Sequence, residues 1–297
     1  MQKHMKSIVV GVILLVVIGL GVDVFKNKNQ DQVGEQIMVT LPVFADVVLR
    51  LSDHQIAPTV LITPGQSEHS FTLTPSQLKA THNAPVVLYV GLGLDDWIVK
   101  ELADAKPSIT AVSLEKNITL RKDEHDHGDF DPHYWLSFEN ATIITDSIAN
   151  TLIAHYPTLD KQRIIDNANA FKEELRLAFN QYKTTVLPKL TADQKNIVTY
   201  HEAWGYLASE IGFTVVGTVQ EFAGKEPTAR YIAELLRTIS SQNIKKIFIE
   251  PQLATESVQF MLQDLGVEIR VLDPLGGVQG RMTYLDLLTY NLSELVK

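Results

Sequence analysis

LDKQRIIDNANAFKEELRLAFNQYKTTVL, Leu159 to Leu187, reads as one helix of nearly thirty residues, and what flanks it decides the fold. Ile164, Ile165, Ala168, Phe171, Leu175, Leu177 and Phe179 recur near the helical period, and Pro188 closes the run. At 1.5 Å per residue such a helix spans on the order of 40 Å. That is too long for an ordinary crossover and suits a rigid strut joining two lobes.

The flanks agree with that reading. Upstream, short apolar runs at Ile37–Leu41, Thr59–Ile62, Val86–Val90 and Thr110–Leu114 alternate with helical patterns at Ala45–Leu51, Ser76–Ala80 and Trp97–Ala103. Downstream, runs at Asn196–Tyr200, Val215–Val219, Lys246–Ile249 and Glu268–Leu272 alternate with Ala203–Ile211, Ala229–Ser240 and Thr255–Leu265. Strand and helix in alternation imply parallel sheets with crossover helices. The expected class is α/β: two similar lobes, each a roughly four-stranded parallel sheet with flanking helices, joined by the long helix. The divisions are 36–157 for the N-terminal lobe, 158–188 for the connector and 189–297 for the C-terminal lobe.

Residues 1–30 stand apart. Lys3, His4 and Lys6 precede the apolar run Ile8–Val22, and the polar stretch Asn27–Gln30 follows. The run exceeds a usual signal core and falls short of a full span, so it reads as a retained anchor or a signal peptide. Either places the folded body outside the cytoplasmic membrane. Four of the 26 basic side chains and one of the 35 acidic ones fall in this segment, leaving 22 against 34 in the body. An acidic body lacks the basic footprint of nucleic-acid binding. With no cysteine in the chain, thiolate metal sites, disulfides and cysteine nucleophiles are excluded. A transition-metal site here has to be built from imidazole and carboxylate.

In open parallel sheets, ligands bind beyond the carboxyl ends of the strands. Two candidate ligands from each lobe fall there. His69 follows the strand ending at Ile62, His133 lies in the DPHYWLS loop after the strand ending at Leu114, His201 follows NIVTY directly, and Asp273 follows VEIRVL directly. Each alone has an ordinary reading as a loop or turn residue; their shared placement does not. Three imidazoles and one carboxylate suit tetrahedral zinc and form a closed site, without the open position that hydrolysis by a metal-bound water needs. Manganese, weaker in the divalent order and better served by oxygen, is the second choice. Capture is favoured over catalysis.

With these residues in view, the chain from about Ile37 to Lys297 resembles the zinc- and manganese-binding solute-binding proteins of ABC-type importers. MVTLPVFADVV, GLGLDDWIVKEL, DPHYWLS, YHEAWGYLASEIGF, EPTARYIAELL, IFIEPQ and LDPLG all look like family signatures, in the family's order. The resemblance implies two α/β lobes on a long helix with the metal between them, ligated by His69, His133, His201 and Asp273. It implies an ABC importer permease as partner, a monomer, little lobe movement, and no enzymatic activity. Zinc members often carry an acidic, histidine-rich loop before the DPH motif, shortened here to RKDEHDHGDF. His125, Asp126, His127 and Asp129 are therefore expected to form an auxiliary outer metal site. Two departures stand out: no lipid-bearing cysteine, and SEHSF where many relatives have a proline before the histidine. The latter makes Glu68 a substitute ligand to consider. The remaining histidines, His4, His54, His82 and His155, carry no motif.

Two other classes compete. A zinc hydrolase would need a carboxylate base, for which Glu202 and Glu250 are the candidates. An adhesin-like surface protein would use its zinc structurally and unfold on losing it.

Overall fold

All eight apolar runs form strands. The computed structural model describes residues 36–103, 109–122, 129–220, 227–253 and 266–297. In it, β1 (Ile37–Val39), β2 (Pro58–Val60), β3 (Val86–Tyr89) and β4 (Thr110–Ser113) make a parallel sheet in the order β2-β1-β3-β4. The strands β5 (Asn196–Thr199), β6 (Thr214–Thr218), β7 (Lys246–Ile249) and β8 (Glu268–Val271) make a second, in the order β6-β5-β7-β8. The same strand order occurs twice. In each, the chain reverses its winding beside the first strand, which opens a crevice at the strand carboxyl ends.

The helices are α1 (Pro42–Leu51), α2 (Pro75–Thr81), α3 (Trp97–Ala103), α4 (Phe138–His155), α5 (Lys161–Thr185), α6 (Gly205–Ile211), α7 (Ala229–Ser241) and α8 (Tyr284–Val296). The expected helix at Thr255–Leu265 and the segment 1–30 lie outside the described residues. Among those described, no helix is long and apolar enough to cross a membrane.

The connector α5 starts where its cap allows: Asp160 Oδ1 accepts from the Gln162 and Arg163 amides at 2.9 and 3.1 Å. Its buried stripe is Ile164, Ala168, Phe171, Leu175 and Tyr182, which packs against α4 and α1. Leu177 departs from the expected stripe. Two residues from Leu175, it turns to solvent and is 55% exposed. Phe179 finds a neighbour instead, stacking on Phe138 at 5.2 Å between ring centroids.

The two sheets are tied together by more than the connector. Trp135, fully buried, donates its indole N–H to the Pro274 carbonyl at 2.7 Å, and the Tyr284 hydroxyl donates to the Trp135 carbonyl. Glu210 on α6 accepts from the Phe138 and Glu139 amides, both at 2.8 Å, and so caps α4 from across the crevice. Gly277 brings the loop after β8 against the start of α1 and the loop after β2: a Cβ there would meet Pro64 at 2.8 Å and Pro42 at 3.2 Å. Phe44, Trp135, Trp204, Leu272 and Tyr284 belong to one continuous core. A large hinge opening would expose that core and leave these polar groups unpaired, so the fold resists it.

Candidate metal centre

His201 is placed by strand register. In the parallel pair β5·β7, Val198 lies beside Ile247 and Thr199 beside Phe248. Two residues further, the same register puts His201 beside Glu250. There the imidazole Nδ1 donates to the Glu250 carboxylate, 2.7 Å from Oε1, and the Trp204 indole N–H donates to that oxygen at 3.1 Å. A carboxylate on Nδ1 fixes the ring's orientation and turns Nε2 the other way. His201 Nε2 is buried and has no hydrogen-bond partner among the described residues. An orphaned buried nitrogen of this kind is what a metal would satisfy.

His133 is built similarly from a local turn. In DPH, Asp131 Oδ1 accepts both the His133 amide and the His133 ring Nδ1, each at 2.9 Å. Pro132 restricts the backbone between them. The Asp131 carbonyl in turn accepts from the Tyr206 hydroxyl at 3.0 Å, which anchors the loop to α6. The following Tyr134–Leu136 turn is buried and acts as an apolar anchor.

His69 reaches the same point from the loop after β2. Its Nε2 lies 3.1 Å from His133 Nε2. Each pair among the His69, His133 and His201 rings has its centroids 5.2 Å apart, so the rings form an equilateral triangle. Glu68 completes the group: its Oε1 is buried, lies 4.0 Å from His69 Nε2, and has no hydrogen-bond partner among the described residues. Ligand atoms of Glu68, His69, His133 and His201 all lie within 4.8 Å of one another.

The electrostatics suit a cation. Burial pushes the Glu68 carboxyl up to about 7, against the downward pull of His201, with Glu250 and Asp273 adding to the rise. Burial disfavours the charged His201 ring, but the Glu250 charge and hydrogen bond, then Glu68, outweigh it and raise its pKa. Buried carboxylates and imidazoles facing one another are costly without an ion between them.

Asp273 lies outside that four-residue group. It is buried two residues past β8, near enough for its charge to act on Glu68, and its Oδ2 stands 2.9 Å from Arg281 Nε. Of the outer loop, His125, Asp126 and His127 lie outside the described residues, and Asp129 is exposed. Glu250, a candidate base in the sequence reading, lies behind His201 as its hydrogen-bond partner. Glu202 is half-buried. Sequence reasoning gave Glu68 only a secondary place and did not see the roles of Asp131 and Glu250 in aiming the rings. For Glu250, the signal was available in the register of the two strands.

Access to the site is narrow. A cavity of about 100 Å³ lined by His69, Leu92, Gly93, Leu94 and Pro132 opens onto it. His69 is the partly exposed member of the triangle, whereas His133 and His201 are fully buried.

The chain is similar to known proteins. The family model described as zinc-uptake complex component A, periplasmic, matches residues 37–297. The chain is 23% identical to the manganese-binding lipoprotein MntA of Halalkalibacterium halodurans, covering 100% of this chain and 98% of that one. It is 27% identical to the zinc-binding lipoprotein AdcA of Streptococcus pneumoniae over 80% of this chain, and spans half the length of that relative. The Mn-bound periplasmic metal-binding protein of Candidatus Liberibacter asiaticus superposes with a TM-score of 0.77 at 22% identity, covering 88% of this chain and 98% of that one. The family match over nearly the whole described body makes this chain a member of the zinc-uptake component A family: an extracytoplasmic metal-binding protein that serves an ABC importer, not an enzyme.

Proposed function

We propose that this chain captures Zn(II) between its two lobes and delivers it to the importer's permease. The observation that carries the reading is the triangle of three imidazoles, two of them aimed by carboxylates on Nδ1, with the Glu68 carboxylate beside it. Three nitrogens and one oxygen, without thiolate, match the donor preference of tetrahedral zinc. His69, His133 and His201 are the nitrogen ligands and Glu68 the adjacent carboxylate. Asp273, the carboxylate in the LDPLG motif, lies near enough to act on Glu68 and stands beside Arg281.

The chain acts as a monomer, with lobes 36–157 and 189–297 on the connector 158–188. Residues 1–30 direct it across the membrane or hold it there, and His125, Asp126, His127 and Asp129 collect zinc as an auxiliary site. Manganese uptake is the second reading. It is favoured by Asp273 as a second carboxylate near the site, since manganese is better served by more oxygen donors.

Competition titration of the metal-stripped protein with Zn(II) and Mn(II) tests the choice. One tight zinc site, much weaker manganese binding, and loss of both in His133→Ala are expected. Equal or tighter manganese binding overturns the zinc assignment.

A further inference from the structure

We propose that Arg281 sets the metal preference of the site by holding Asp273 back, so that the ion meets three imidazoles and one carboxylate rather than two carboxylates. This rests on the metal-site reading above and names the group that decides which ion wins.

Asp273 has almost no freedom except at one oxygen. Its main chain is clamped by Asn291 of α8: the Asp273 amide donates to Asn291 Oδ1 at 2.8 Å, and the Asn291 side-chain amide donates to the Asp273 carbonyl at 2.7 Å. Its Oδ1 accepts from the Leu275 amide at 3.0 Å, the Gly276 amide at 3.1 Å and Gln252 Nε2 at 2.8 Å. Three donors saturate that oxygen. Oδ2 is left to choose a partner, and it meets the Arg281 charge, 2.9 Å from Nε, in an ion pair whose N–H is not aimed along that line.

Arg281 is itself held in place. Its guanidinium lies over the Tyr290 ring, 4.4 Å from the centroid. Its amide donates to the Val278 carbonyl and its carbonyl accepts from the Gly277 amide, both at 2.9 Å. The Arg281 side chain is only 18% exposed and that of Asp273 2%, so solvent screens the pair little. The alternative partner for Oδ2 is the ion facing Glu68. With the guanidinium present, the Asp273 charge is already matched. Without it, a buried carboxylate lacks a counter-ion and is drawn to the nearest cation.

The consequence is selective. Zinc is satisfied by four donors, and a fifth adds little. Manganese sits low in the divalent affinity order and gains most from additional oxygen ligands. Arg281 therefore disfavours manganese without touching the ion.

The test is a competition titration, against a chromophoric chelator, of the full metal-stripped chain and three variants: Arg281→Met, Asp273→Asn and the double variant. Methionine keeps an unbranched apolar stem beside Tyr290 and removes the guanidinium that lies over that ring. Arg281→Met is expected to raise manganese affinity relative to zinc by about tenfold, the scale of change that outer partners of a metal site produce, and the rise is expected to vanish when Asp273→Asn is added. Asp273→Asn alone is expected to cost less than about tenfold in zinc affinity. A merely structural role for Arg281 would weaken both ions alike and would not depend on Asp273. An unchanged manganese-to-zinc ratio in a folded Arg281→Met protein overturns the proposal. So does a larger zinc loss in Asp273→Asn, which keeps the native arginine and would mean that Asp273 is already a ligand. A wild-type chain that binds neither ion tightly overturns the underlying metal-site reading, and this inference with it.

Discussion

His201 and His69 face the same point from opposite lobes, yet they are supported differently. His201 stands directly past a central strand, fully buried, with Glu250 and Trp204 behind it on adjacent structure. His69 stands on a loop, its amide 3.3 Å from the Ser67 hydroxyl, with one edge open to the cavity beside Leu92. Strand register fixes the first without any metal. The second is set by a turn and borders the cavity beside Leu92. A site of this kind is preorganised at His201 and accessible at His69, so the cost of losing a ligand should be unequal across it.

The largest expected effect follows from the better-fixed side. His201→Ala should lower zinc affinity by more than about a hundredfold, beyond the 10–100-fold typical of losing an outer partner. Glu250→Gln keeps the ring and alters only what aims it; a loss of about 10–100-fold is expected. Equilibrium competition reads both. If Glu250→Gln binds zinc like the wild type, the buried ring does not need its carboxylate and the asymmetry disappears.

Protonation provides the next effect. Burial raises the Glu68 carboxyl to about 7, so below that value the protonated form dominates in the metal-free protein and zinc has to displace the proton. Apparent zinc affinity should therefore fall as pH drops below about 7, with Glu68 contributing up to about tenfold per pH unit. Glu68→Gln should flatten that part of the slope, as measured by titrations across the range. A slope unaltered by the substitution would place the displaced proton on the imidazoles alone.

Smaller effects concern the frame. Trp135→Phe removes the indole donor and leaves the buried Pro274 carbonyl unpaired, at a cost of about 1–3 kcal/mol in unfolding free energy. Zinc stoichiometry should stay at one, since the indole N–H is spent on the Pro274 carbonyl and phenylalanine keeps an aromatic ring beside His133. Ser67→Ala, on the loop side, should leave zinc affinity near its wild-type value. A strong loss there would show that the His69 turn is as tightly specified as the His201 strand end.

Much of this was legible in the sequence, for reasons that differ by element. The strands and the connector announce themselves through period, because burial on one face or both leaves an apolar pattern. The helix around Ile164 to Tyr182 shows where that logic stops: Leu177 is apolar and exposed, and period alone does not tell which near-stripe residue turns outward. The convergence of the three histidine side chains was legible because strand carboxyl ends are where loops from a parallel sheet meet. Glu68 carries no such mark. It lies in a loop without periodicity, and only the folded chain shows that its carboxylate, not that of Asp273, joins the histidine group. The Arg281–Asp273 pair was equally hidden, since a turn held by Asn291 eighteen residues away leaves no local pattern. Glu250 was visible as a candidate but in the wrong role, and the β5·β7 register corrects it.

The most direct measurement is anomalous diffraction at the zinc edge from crystals of the zinc-loaded protein. A single strong peak is expected at about 2.0–2.2 Å from nitrogens of His69, His133 and His201 and from a Glu68 oxygen, with Asp273 still paired to Arg281. A peak ligated by Asp273 in place of Glu68, or one away from the three rings, would contradict the account.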